Sequence, residues 1–112
     1  MLESSSGDPR AAYEKAVDLF GQGKLEEAAA AFQELIEAHP NHVDAYEAIG
    51  MVYYRMGRVD DAIEWTERLA AVDPSHAMAH SNLSVFYMKK GMKERAEEEK
   101  AKAVVLQFGK KK

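Results

Sequence analysis

The side chains with the widest chemical range in this sequence are four histidines. His76 and His80 stand at i and i+4, a spacing that lets one helix face chelate a metal ion. His39 and His42 flank Pro40. His76, however, closely follows Pro74 and falls at a turn, and no carboxylate or third ligand accompanies the pair in sequence. Turn and interhelical packing account for these histidines, so no metal site and no other cofactor is expected. The run Glu97–Glu99 reads as a solvated helix face, not as a pair of catalytic carboxylates. Serine is found mainly at Ser4–Ser6, Ser75, Ser81 and Ser84, with nothing to suggest an activated nucleophile. Gly21-Gln22-Gly23 is a turn between helices, since neither a phosphate-binding loop nor a dinucleotide fingerprint surrounds it. Cysteine is absent, which excludes disulfides and thiolate metal sites. An enzyme is therefore not expected.

The bulk composition agrees with a binding or structural role. The 112 residues suit one compact domain, with 46% hydrophobic and 30% charged side chains. The formal charge of −4 is uneven. Residues 1–56 carry four Lys/Arg against ten Asp/Glu, a net of −6, and residues 57–112 carry eleven against nine, a net of +2. Neither half is basic enough for a nucleic-acid footprint. The opening MLESSSGDPR lacks the features of a signal peptide, and no apolar run has bilayer-spanning length. A soluble, cytoplasmic chain without stable membrane insertion is the expectation.

The elements that position these residues repeat with a fixed period. Gly23, Gly57 and Gly91 are each 34 residues apart, as are Ala28, Ala62 and Ala96, and Ala11, Ala45 and Ala79. Pro40 and Pro74 keep the spacing, as do Leu19, Tyr53 and Tyr87, and Leu35, Leu69 and Ala103. So many columns in one register mark a repeat architecture. The glycines end one helix and permit a turn, and the prolines stop the next. The alanines let two antiparallel helices approach closely. Glu26-Glu27, Asp60-Asp61 and Glu94 open each second helix, where they complement the positive end of its dipole. No segment alternates as a half-buried strand does. Six helices follow, at about 9–21, 25–38, 43–56, 59–72, 77–90 and 93–108.

Over residues 9–108 the sequence resembles the tetratricopeptide repeat family, whose pattern is W-x2-L-G-x2-Y, then A-x3-F, then P. The middle unit fits best, with Tyr46, Ile49, Gly50, Tyr53, Ala62 and Pro74, and with Thr66 at the phenylalanine place beside Trp65. The first unit keeps Leu19, Ala28, Phe32 and Pro40 but has Ala12, Lys15 and Ala16 at its opening. The third keeps Leu83, Tyr87 and Ala96, with His80, Ser84 and Lys100 as departures. The resemblance implies an all-α, right-handed superhelical solenoid of three helix-turn-helix repeats, at 9–42, 43–76 and 77–108. Residues 1–8 are expected to form a flexible leader and 109–112 a basic tail.

Ala29, Ala31, Phe32, Ile63 and Trp65 are expected to pack against the following unit. Glu97, Glu98, Glu99 and Lys100 replace them in the third, as a polar closing face. Val104 and Phe108, at i and i+4, then either cover the last helix pair or, with Lys110–Lys112, form a weak amphipathic membrane contact.

The family's inward-facing positions correspond here to Arg10, Tyr13, Glu14, Val17, Phe20 and Gly21 in the first unit. In the second they are Asp44, Glu47, Ala48, Met51, Tyr54 and Arg55, and in the third Met78, Ser81, Asn82, Val85, Met88 and Lys89. Tyr13, Val17, Phe20, Met51, Tyr54, Val85 and Met88 would make an apolar strip. Arg55 and Lys89 would sit at one rim, with Glu14, Asp44 and Glu47 towards the other. Together with Asn82, the strip and its cationic rim are the candidate binding residues. Such a groove suits a peptide or amphipathic helix, although the same side chains could instead complete the core. Relatives that clamp acidic chaperone tails use lysine, asparagine and arginine where this sequence has Tyr13, Val17, Ala48, Met78 and Asn82, so that mode is not expected. The resulting expectation is an adaptor or scaffold for a protein or peptide partner, without nucleic acid. The competing expectation is a structural repeat protein that assembles into homo-oligomers through its less regular first helix.

Overall fold

The computed structural model describes residues 8–109. Among them the chain forms six helices and no strand: α1 Pro9–Gly21, α2 Leu25–Ala38, α3 Val43–Arg55, α4 Val59–Val72, α5 Ala77–Lys89 and α6 Lys93–Gly109. Each helix packs on the next in sequence, and pairs α1/α2, α3/α4 and α5/α6 stack in order. This is an all-α helical repeat solenoid. Most of the expected leader and tail, residues 1–7 and 110–112, lies outside the described residues. Asp8, assigned to the leader, instead caps α1, its Oδ1 accepting from the Arg10 N–H at 3.0 Å.

The columns act locally as backbone punctuation. Gly23, Gly57 and Gly91 take φ values of +80°, +81° and +79°, a left-handed conformation that a side chain disfavours. The next residue's N–H then returns to the carbonyl five positions back, Lys24 to Leu19, Arg58 to Tyr53 and Met92 to Tyr87, each at 2.9 Å. These bonds satisfy carbonyls that each first helix would leave open. Each first helix also starts on a side-chain cap. His42 Nδ1 accepts from the Ala45 N–H and His76 Nδ1 from the Ala79 N–H, both at 3.1 Å. Asp8, His42 and His76 therefore form one more column with the 34-residue spacing.

The interior is built on small residues at the helix crossings. Ala28, Ala62 and Ala96 are buried, as are Ala45, Ala79, Leu35, Leu69 and Ala103. Gly50 lies so close to α4 that an added Cβ would stand 2.6 Å from Thr66 Oγ1. Thr66 is fully enclosed and donates its hydroxyl to the Ala62 carbonyl at 2.7 Å, which satisfies a polar atom that burial would otherwise penalise. A larger buried cluster spans the first two units around Phe32, Ile49 and Val52, and a smaller one joins Ala62 and Ile63 to Leu83, Phe86 and Tyr87.

Three expectations about the outer surfaces need correction. Trp65 stands against Tyr46 of its own unit, with ring centroids 6.1 Å apart, so its column faces inward across the helix pair. Glu99 is in that column and is accordingly buried, not solvated. Its Oε1 lies 2.7 Å from His80 Nδ1, and Lys102 Nζ approaches its other oxygen at 3.4 Å. The His80–Glu99 pair thus occupies the place that Tyr46 and Trp65 fill in the middle unit. Glu97, Glu98 and Lys100 are exposed. Val104 and Phe108 do not cover the last helix pair, because α6 buries Ala96, Glu99 and Ala103 and leaves them on other faces, at 47% and 60% exposure.

Candidate functional site

The first helices of the three units, α1, α3 and α5, carry the inward positions. α1 also touches α3 directly, while no comparable contact joins α2 and α4 among the described residues, so the first helices line the tighter side between the first two units. In the first unit, Tyr13 is half-buried, tilted on Phe32 at 5.8 Å and stacked on His42 at 5.4 Å. Phe20 is half-buried beneath the Arg55 guanidinium, 5.2 Å from the ring centroid. Arg55 therefore bridges the first two units across the face and is not a solitary rim cation. In the second unit, Met51 and Tyr54 are half-buried against the smaller cluster, and the Tyr54 ring lies 4.9 Å from that of Phe86. In the third, Asn82 is half-buried and Lys89 exposed.

The strip thus has two characters. Tyr13, Phe20, Met51 and Tyr54 each give one side to packing between units. Val17, Val85 and Met88 stand 39%, 50% and 53% exposed, and Met78, at 50%, joins them. Met78 is an inward position outside the expected apolar strip, in a column that otherwise holds Arg10 and Asp44. Its residue type was the available signal.

Charge is unevenly placed on this face. Burial, and then the nearby carboxylates of Asp44 and Glu47, push the Tyr13 hydroxyl above its usual value of 10.0. Among the described residues, Glu14 and Asp44 form no ion pair, and Glu47 has only His76 Nε2 at 3.8 Å. The face is acidic around Tyr13 and apolar around Val85 and Met88.

Three of the four histidines are committed elsewhere. His42 and His76 use Nδ1 as helix caps, and His80 uses Nδ1 on Glu99. Among the described residues, no three histidine, cysteine, aspartate or glutamate side chains are grouped to hold a metal ion. Two hollows lie away from the side chains of the strip. One of about 460 Å³, lined by Ala11, Ala12, Ala31 and Ala38, opens on the first unit. Another of about 410 Å³ lies between Pro74, His80 and Val105.

Residues 13–71 match the sequence profile of the tetratricopeptide repeat. The chain belongs to the tetratricopeptide repeat family. Solved structures extend the likeness of this tetratricopeptide repeat chain beyond the matched residues. The crystal structure of MamA superposes with a TM-score of 0.89 at 28% identity, covering 94% of this chain and 61% of MamA. YrrB, described as a tetratricopeptide repeat protein with an unusual peptide-binding site, gives 0.81 at 27% identity, covering 89% of this chain and 52% of YrrB. The Yersinia enterocolitica secretion chaperone SycD, in complex with a peptide of the translocator YopD, shares the fold with a TM-score of 0.84 at 24% identity, over 87% of this chain and 74% of SycD. The chain spans about three fifths of MamA and half of YrrB. No functionally curated protein sequence matches it.

Proposed function

We propose that this chain is a protein-interaction adaptor that binds a peptide or amphipathic helix of a partner along the inner face of α1, α3 and α5. The observation that carries this reading is the apolar surface left open there: Val17, Met78, Val85 and Met88 are 39–53% exposed on helices whose other large apolar side chains are buried or half-buried. Tyr13, Met51 and Tyr54 form a firm floor beneath them. Methionine adapts to irregular apolar partners, and tyrosine adds contact area at small entropic cost. Asn82 and Lys89 supply polar contacts beside Val85 and Met88. The peptide-binding site described for YrrB, at 27% identity, supports the same class of function. No catalytic step is included.

The test uses a peptide selected on the purified chain from a random display library. Val85→Asp with Met88→Asp should weaken that peptide by about tenfold or more, since each change buries a charge against an apolar ligand. Both side chains are half-exposed, so helicity should be retained. Unchanged affinity in the double variant would remove this face from the reading.

Self-association is favoured by a different observation, the alanine-lined hollow on the first unit. Ala12 and Ala31 stand there in the columns of Tyr46 and Trp65, so the space of an aromatic pair is empty. Light scattering over a concentration series distinguishes the readings. Growth in mass that Ala12→Tyr abolishes supports assembly, and a constant monomer mass opposes it.

A further inference from the structure

The second and third units share one framework, and the place between their paired helices is filled differently in each. In the middle unit Tyr46 and Trp65 fill it with two aromatic rings, their centroids 6.1 Å apart. The Tyr46 hydroxyl donates to the Pro40 carbonyl at 2.9 Å. In the third unit the same places hold His80, Glu99 and Pro74. Imidazole is shorter than phenol, and a carboxylate side chain is much smaller than indole. A hollow of about 410 Å³ stands there. Its wall follows the repeat, since Pro74, His80, Lys102 and Leu106 come 34 residues after Pro40, Tyr46, Arg68 and Val72. The hollow thus corresponds to space that an aromatic pair takes up one unit earlier. Its volume lies within the range of small-molecule sites, about 300–1,000 Å³.

The polar atoms at this hollow are arranged to accept a hydrogen bond. Glu99 is buried, and an ionised carboxylate only accepts, so its 2.7 Å contact assigns the ring proton to His80 Nδ1. Lys102 Nζ approaches the other carboxylate oxygen at 3.4 Å, so each oxygen faces a donor. In the neutral ring Nε2 then carries the lone pair. It has no partner among the described residues, where no buried side-chain nitrogen or oxygen lacks one, so Nε2 lies at the surface. The Pro74 carbonyl likewise accepts no bond among the described residues, whereas that of Pro40 accepts the Tyr46 hydroxyl. The third unit keeps the acceptors and the apolar wall, and lacks the ring and hydroxyl that the middle unit supplies from its own chain.

We infer that this hollow is a binding site for a small neutral phenol. The aromatic ring lies against Pro74, Val105 and Leu106, and its hydroxyl donates to His80 Nε2. Glu99 acts through His80, holding the imidazole in the accepting tautomer. None of the residues lining the hollow belongs to the proposed peptide surface, so the two sites are separate.

Chemical-shift titration of the full labelled chain with p-cresol, at about pH 8 where histidine is ordinarily neutral, tests this. Shifts should appear at the Ala101, Lys102 and Val105 amides and at the His80 Nε2 resonance. Toluene is the more apolar ring, so burial alone would favour it. The hydrogen bond should instead make p-cresol bind at least about fivefold more tightly. His80→Tyr with Glu99→Trp restores the aromatic pair and fills the hollow, so it should abolish the p-cresol shifts in α6 with unchanged circular dichroism. Should that variant fail to fold, the toluene comparison on the unaltered chain decides. Equal or tighter toluene binding, shifts confined to Ala11, Ala12 and Ala31, or shifts in α6 that survive the aromatic pair would overturn the inference. So would a preference of about tenfold for N-acetyltyrosinamide over p-cresol, which would make the occupant a tyrosine side chain of a partner.

Discussion

Gly50 has no room for one more carbon, because its Cβ would press on the enclosed Thr66 hydroxyl at 2.6 Å. Gly50→Ala should cost about 1–3 kcal/mol in urea unfolding, as overpacking does. Adding Thr66→Ala should recover part of that loss; strictly additive costs would show that the two side chains do not meet. Tyr87 gives a prediction in pH. Burial and its 2.7 Å hydrogen bond to Glu67 raise the hydroxyl from 10.0 to about 12, despite the opposing charge of Arg95. Between these values the folded chain holds a proton that the unfolded chain releases, so stability should fall as pH rises from about 10 towards 12. Tyr87→Phe should flatten that slope in thermal melts; an identical slope would locate the titration elsewhere. The His80–Glu99 pair replaces an aromatic pair, and exchanging a buried polar pair for packed apolar groups is often neutral or stabilising. His80→Tyr with Glu99→Trp should therefore leave the melting temperature unchanged or raised, whereas Glu99→Ala alone should lower it.

At the scale of helices, the repeat positions fix where the backbone turns. Gly57 sits at φ +81° with open space around it, so Gly57→Ala should cost about 1–2 kcal/mol through conformation alone. Gly21 ends α1 without a positive φ and with nothing near its Cβ position, so Gly21→Ala should be neutral or slightly stabilising. Equal effects at both sites in denaturant unfolding would contradict the assignment of the turn. The six helices were legible in the sequence because backbone requirements recur: glycine where φ is positive, alanine where helices cross, proline after the second helix. The contents of a column were less legible. Glu99 looked solvated within a run of acids, yet its column holds Ala31 and Trp65, which face the partner helix. Val104 and Phe108 share a helical spacing, but spacing alone does not tell which side of α6 is packed. The His42 and His76 caps were overlooked for a similar reason, since a ring nitrogen at a cap resembles a turn residue until the Nδ1 contact is seen.

At the scale of the whole molecule, stacked pairs leave long faces that one repeat cannot bury, and the inner one is neither wholly core nor wholly groove. On its first helices Phe20 and Tyr54 tie adjacent units together, while Val17, Met78, Val85 and Met88 stand exposed. The strip could be placed on the first helices from the sequence, but its division between packing and exposure depends on side-chain contacts such as Arg55 over Phe20 and Tyr54 against Phe86. The central claim is that a peptide partner lies along this face. Amide chemical-shift mapping of the labelled chain, titrated with a display-selected peptide, tests it most directly. The account predicts perturbations concentrated at Tyr13, Val17, Met51, Tyr54, Val85 and Met88. Perturbations confined to α2, α4 and α6 would contradict it.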